Sequence, residues 1–200
     1  MAWGWFCQSG VVSSRPPAGI PLGKYTLGDD GAHHWAVRLG EPMKIDFAIE
    51  ISGEPDDVFP WIDKPEKAML WQKGVKKGEI IKETPEKIGT TFMEEMEEGG
   101  NSLVMRGVIT GYVRNQMITF QLESKIHKLD VCYSIKGEGG KSLLTAESNI
   151  HWKFPMNMMS IVWGRKIKEG ILKQTESEFA ELKRLCEEEK VKKELARQKP

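Results

Sequence analysis

Between Val75 and Trp152 the chain offers six segments rich in β-formers, with no more than six residues between neighbours. They read VKKGEIIKE, TTFMEEMEE, SLVMRGVITGYVR, MITFQLE, KLDVCYSIK and SLLTAESNIHW. A parallel pair needs a crossover of about a dozen residues or more. Connections this short therefore force neighbouring segments into antiparallel hairpins. Turn signals fall between them at Glu98-Gly99-Gly100-Asn101, Asn115-Gln116 and Gly137-Glu138-Gly139-Gly140.

The turns also predict which side chains share a face. A two-residue turn at Asn115-Gln116 pairs Arg114 with Met117, Val113 with Ile118 and Ile109 with Leu122. A four-residue loop at 137–140 sets Tyr133 opposite Leu144 and Val131 opposite Ala146. A four-residue connection at 123–126 sets Leu122 opposite His127 and Phe120 opposite Leu129. Side chains alternate along a strand, so the three turns define one apolar face. It carries Ile109, Val113, Ile118, Phe120, Leu122, His127, Leu129, Val131, Tyr133, Leu144, Ile150 and Trp152. Extension through residues 98–101 adds Phe92, Glu94 and Met96, opposite Met105 and Leu103.

KGEGGKS (Lys136–Ser142) has the look of a phosphate-binding loop, but that motif requires G-x-x-x-x-G-K-[ST] followed by a helix. Five residues before Gly140 stands Ile135, and a strand-like segment follows. The glycines are there to turn a hairpin.

Upstream, KIDFAIEIS (residues 44–52) alternates Ile45, Phe47, Ile49 and Ile51 against polar partners, as a half-buried strand does. Glu54-Pro55-Asp56-Asp57 and Asp63-Lys64-Pro65-Glu66 each open a short helix, with acidic residues at the positive end of the helix dipole. A long helix closes the chain from about Pro155 to Lys193. Its buried stripe is Ile167, Ile171, Thr175, Phe179, Leu182 and Cys186. The run from Met156 to Trp163 is apolar nearly all round, and the charged end is expected to fray.

Residues 1–42 show no sustained period and contrast with all that follows. The expected organisation is an N-terminal extension over 1–42, disordered or upstream of a true start at Met43; a domain over 43–188; and a charged tail over 189–200. His33 and His34 alone supply too few ligands for a metal. Three widely spaced cysteines, Cys7, Cys132 and Cys186, fit neither a disulfide framework nor a zinc site and suit a cytoplasmic location. Charge balances at 29 basic and 29 acidic residues, so no global field favours nucleic acid. No apolar run reaches the ~20 residues of a membrane helix.

The order β-α-α, six antiparallel strands and a long helix resembles the START-related helix-grip superfamily, specifically its polyketide cyclase/dehydrase-like branch. The resemblance is carried by IEISGEPDDVFPWIDKPEKAMLW, GTTF, GVITGYVRNQMITFQLE and LDVCYSIKGEGGKSLLTAES. It implies an α+β fold in which a curved seven-stranded antiparallel sheet grips the C-terminal helix around an internal cavity. The implied ligand-facing residues are Trp71, Phe92, Glu94, Met105, Ile109, Phe120, His127, Leu129, Val131, Tyr133, Trp152, Met159 and Trp163. The implied ligand is a small hydrophobic molecule or lipid, bound without cofactor, metal or obligatory chemistry.

Two other readings stand beside this one. Glu94 and His127 could serve as base and acid of a cyclase or dehydratase, with Tyr133 as oxyanion donor. Alternatively, an outer patch of Val104, Val108, Tyr112 and Met117 could serve a protein-interaction module of the co-chaperone kind. Met156, Met158, Met159 and Trp163 are either ordinary core or an adaptable lid over the ligand.

Overall fold

The computed structural model describes residues 6–8, 11–13, 42–98 and 101–197, with side chains of 6–8, 11–13, 98, 101 and 159–162 excepted. Two three-residue strands, β1 (Phe6–Gln8) and β2 (Val11–Ser13), pair antiparallel within the N-terminal extension. The rest of residues 1–41, including the histidine pair, lies outside the described residues.

The main sheet begins with β3 (Met43–Ile51). Three short helices follow: α1 (Pro55–Val58), α2 (Pro60–Asp63) and α3 (Pro65–Trp71). Each carries proline in its first turn, where the missing N–H costs no helical hydrogen bond. The meander then runs through β4 (Val75–Lys82), β5 (Thr91–Glu98), β6 (Asn101–Val113), β7 (Met117–Glu123), β8 (His127–Glu138) and β9 (Lys141–Trp152). Strand order is β3-β9-β8-β7-β6-β5-β4, antiparallel throughout. The chain closes with α4 (Met156–Arg197), which packs on β3, β9 and α3. This is the helix-grip architecture.

Two turns differ from the expected register by two residues and so leave the faces unchanged. Glu138 pairs with Lys141 across a two-residue turn in which Gly139 and Gly140 hold φ of 61° and 79°, so Tyr133 faces Ala146. Phe120 faces Val131 and Leu122 faces Leu129. The third turn corrects the prediction. Arg114 does not pair with Met117; Val113 does, with Asn115 in the left-handed region at φ 62°. A bulge between Ile109 and Gly111 absorbs the extra residue and reverses parity beyond it. Val113, expected inside, is therefore exposed, while Tyr112 turns in and meets Phe59 edge-on at 5.7 Å.

Beneath α4 the core falls into two clusters. One gathers Phe179, Leu182 and Cys186 with Ile51, Val58, Phe59, Trp61 and Trp71. The other gathers Met43, Ile45 and Ile150, against which Ile167, Ile171 and Leu172 pack. Partly buried Leu129 touches both. Helix α4 runs on past residue 188 to Arg197, with Glu189 bonded to Lys67 at 2.5 Å and Lys193 to Asp57 at 2.9 Å.

Candidate functional site

The concave face of the sheet is lined by a chain of rings running from β5 to α3. Phe92 meets Phe120 at 5.9 Å, Phe120 meets Tyr133 at 5.7 Å, and Tyr133 meets Phe179 of α4 at 6.1 Å. Phe179 in turn packs on Trp71 at 5.4 Å. Phe92 lies flush on the sheet because residue 107 is glycine; a Cβ there would stand 2.2 Å from the ring. Met105, Ile109 and Val131 form the floor and are buried. Phe92, Phe120, Leu129, Met96 and Leu103 are only partly buried, although they face the inside of a seven-stranded sheet. Helix α4 packs on the β3–β9 side, and the β5–β8 half of this face keeps apolar side chains that are only partly buried, the walls of a candidate groove.

Among the described residues, three polar groups in the lining have no hydrogen-bond partner. Glu94 is partly buried and makes no hydrogen bond or ion pair among the described residues. Burial alone pushes its carboxyl up to about 7. The Tyr133 hydroxyl makes no hydrogen bond among the described residues, and burial, then the charges of Glu94 and Glu178, hold it protonated far above neutrality. The Trp152 indole Nε1 is buried without a partner among the described residues. Groups of this kind are normally satisfied in a folded protein, so each marks a place where a bound molecule could complete the bonding.

His127 has a different setting. It is 9% exposed and its ring lies against Trp152 at 5.4 Å. Its Nδ1 is 3.3 Å from Ser124 Oγ, which also accepts from the His127 N–H at 3.2 Å. The imidazole thus sits in the β7–β8 turn. Glu94 pairs with Met105, Arg106 pairs with Glu123, and Ser124 bonds to His127. Strands β6 and β7 therefore lie between the carboxylate and the imidazole, on the order of 14 Å at ~4.8 Å per strand. They do not form an acid–base pair.

Trp71, expected on the ligand side, is 1% exposed and donates its indole N–H to Trp61 O at 2.8 Å, so it belongs to the packed wall. Trp163 is 57% exposed and borders, with Lys166 and Ile167, a recess of about 470 Å³ at the start of α4. The Met159 side chain lies outside the described residues. Cys186 is buried and its thiol is raised to about 12, mainly by burial, so it is unreactive; Cys132 is buried as well. The outer patch loses Tyr112 to the core and keeps Val104, Val108 and Met117.

Sequence reasoning placed Phe179 on the buried stripe but missed it as a groove residue. It also missed the inward turn of Tyr112. Gly111 was the available signal there, since glycine within a strand often marks a bulge. Its Cβ would lie 2.6 Å from Thr119 Oγ1.

No family model and no curated protein matches the chain by sequence. Solved structures match its fold. A protein of Thermus thermophilus superposes with a TM-score of 0.60 at 11% identity, over 72% of this chain and 97% of that one. A START superfamily protein from Mycobacterium smegmatis gives 0.51 at 15% identity, over 68% and 98%. The di-domain ARO/CYC protein StfQ of the steffimycin biosynthetic pathway gives 0.63 at 13% identity, over 74% of this chain and 52% of that one. The chain thus has the helix-grip fold of START-like and aromatase/cyclase proteins, and it spans about half the length of the di-domain protein.

Proposed function

We propose that the chain binds a small, mostly apolar ligand in the groove between its sheet and α4, without transforming it. The observation that carries this is the coincidence of accessible aromatic walls with unpartnered polar groups. Phe92, Phe120 and Leu129 give apolar area, while Tyr133 and Trp152 offer hydrogen-bond donors. Glu94 offers a carboxyl that is largely protonated below about pH 7 and can donate or accept. Such a lining suits a ring or chain bearing one or two oxygen functions. Two strands separate Glu94 from His127, the partner that acid–base catalysis would use, and this favours binding over chemistry.

Native mass spectrometry of the full chain purified from its own host, followed by denaturing extraction, tests the reading. A recurrent apolar molecule whose occupancy drops in Tyr133→Phe would support it. A chain that remains empty after incubation with panels of lipids and aromatic compounds would sink it.

A further inference from the structure

The N-terminal end of α4 overhangs the sheet. Ile167 and Ile171 pack on Met43, Ile45 and Ile150, but one turn earlier on the same stripe Trp163 is 57% exposed. Phe154 at 75% and Met158 at 58% exposure stand at the same end of the molecule. Large apolar side chains this exposed, grouped at one end of a domain, mark an interaction surface.

Charge selects the occupant. The whole chain carries 29 basic and 29 acidic residues, yet from His151 to Lys168 it has four Lys or Arg and no Asp or Glu. Lys166 and Lys168 make no ion pair among the described residues, while Arg165 pairs with Glu169 and Lys153 with Glu123. Exposed Lys125 joins them from the β7–β8 turn, which is tied to this end by the bond from Lys153 N to Ile126 O at 2.8 Å. A second copy would bring two basic rims together. The N-terminal segment 1–41 has three basic and three acidic residues and offers no complementary charge.

We propose that this end of the molecule docks on an anionic lipid bilayer. Phe154, Met158 and Trp163 enter the boundary between headgroups and acyl chains, and Lys125, Lys166 and Lys168 meet the phosphates. Docking depends on the surface and not on what fills the groove, so it stands or falls separately from ligand binding.

Sedimentation of the full chain with vesicles tests it. Expected is binding to phosphatidylcholine mixed with phosphatidylserine, weak binding to phosphatidylcholine alone, and loss of binding at high salt. The double variant Lys166→Glu, Lys168→Glu should lower the partition coefficient by on the order of tenfold or more. Quenching of tryptophan emission by brominated acyl chains should fall in Trp163→Phe. None of the three positions is buried, so circular dichroism should show these variants folded. Equal binding to neutral vesicles, no sedimentation, or indifference to the charge reversal would overturn the proposal. So would a dimer in solution that Met158→Ser dissociates, since the patch would then belong to a second copy.

Discussion

The ring of Phe92 lies across Gly107, with its Cζ only 2.2 Å from where a Cβ would stand. The glycine thereby sets the position of one groove wall, because the ring has Phe120 on its other side at 5.9 Å. Substitution Gly107→Ala must push the ring off the sheet or bend β6, and overpacking of this kind costs about 1–3 kcal/mol. Urea unfolding should show that loss. Gly107→Ala with Phe92→Leu should recover part of it, because the smaller side chain leaves room for the methyl; additive losses would show that the two positions are uncoupled.

Glu94 gives the fold a pH dependence with a definite sign. Its carboxyl rises from 4.5 to about 7 on burial. Below pH 4.5 it is protonated in both the folded and the unfolded chain. As pH rises towards 7 the unfolded chain ionises first, so the folded state loses stability, by up to about 3 kcal/mol once pH exceeds 7. Glu94→Gln should remove this contribution and gain stability over the parent at pH 8 but not at pH 4. Parallel stability curves for the two proteins between those limits would contradict it.

Much of this was legible because side chains in strands alternate with a period of two. The expected turns at 123–126 and 137–140 missed the pairing by two residues, and an even slip leaves Phe120, Leu129, Val131 and Tyr133 on the same face. At Asn115 the slip was odd, and the bulge before Gly111 carried Tyr112 inward. The groove itself was less legible. Whether Trp71 touches ligand or core depends on where α4 crosses the sheet, and the helix stripe fixes a rotation but not a position along the strands. Nor could spacing along the chain reveal that two strands separate Glu94 from His127.

Tyr133 and Trp71 lie on either side of Phe179 and should respond differently to mutation. Tyr133→Phe removes only a hydroxyl without an internal hydrogen bond, so the fold should be unaffected or slightly more stable. Affinity for a ligand that accepts from that hydroxyl should fall roughly 2–10-fold, equivalent to about 0.5–1.5 kcal/mol. Trp71→Ala empties a site that is 1% exposed and should cost about 3–5 kcal/mol in unfolding free energy. A Tyr133→Phe variant as unstable as Trp71→Ala would place the tyrosine in the packed core and not at the ligand.

Lys67 joins the far end of α4 to the short helices. Its Nζ lies 2.5 Å from Glu189 Oε2 and 4.4 Å from the centre of the Trp61 ring. Both charged side chains are partly exposed, at 24% and 31%, so water screens the pair. A double-mutant cycle with Lys67→Ala and Glu189→Ala should give a coupling of about 0.2–1 kcal/mol that shrinks as salt is raised. The lysine alone should cost more than the glutamate, because its loss also removes the cation from the ring, worth about 0.5–1 kcal/mol at an exposed site. Glu189 also pairs with Lys193 at 3.2 Å, so equal single-mutant costs would mean that the ring contact is worth no more than that second ion pair.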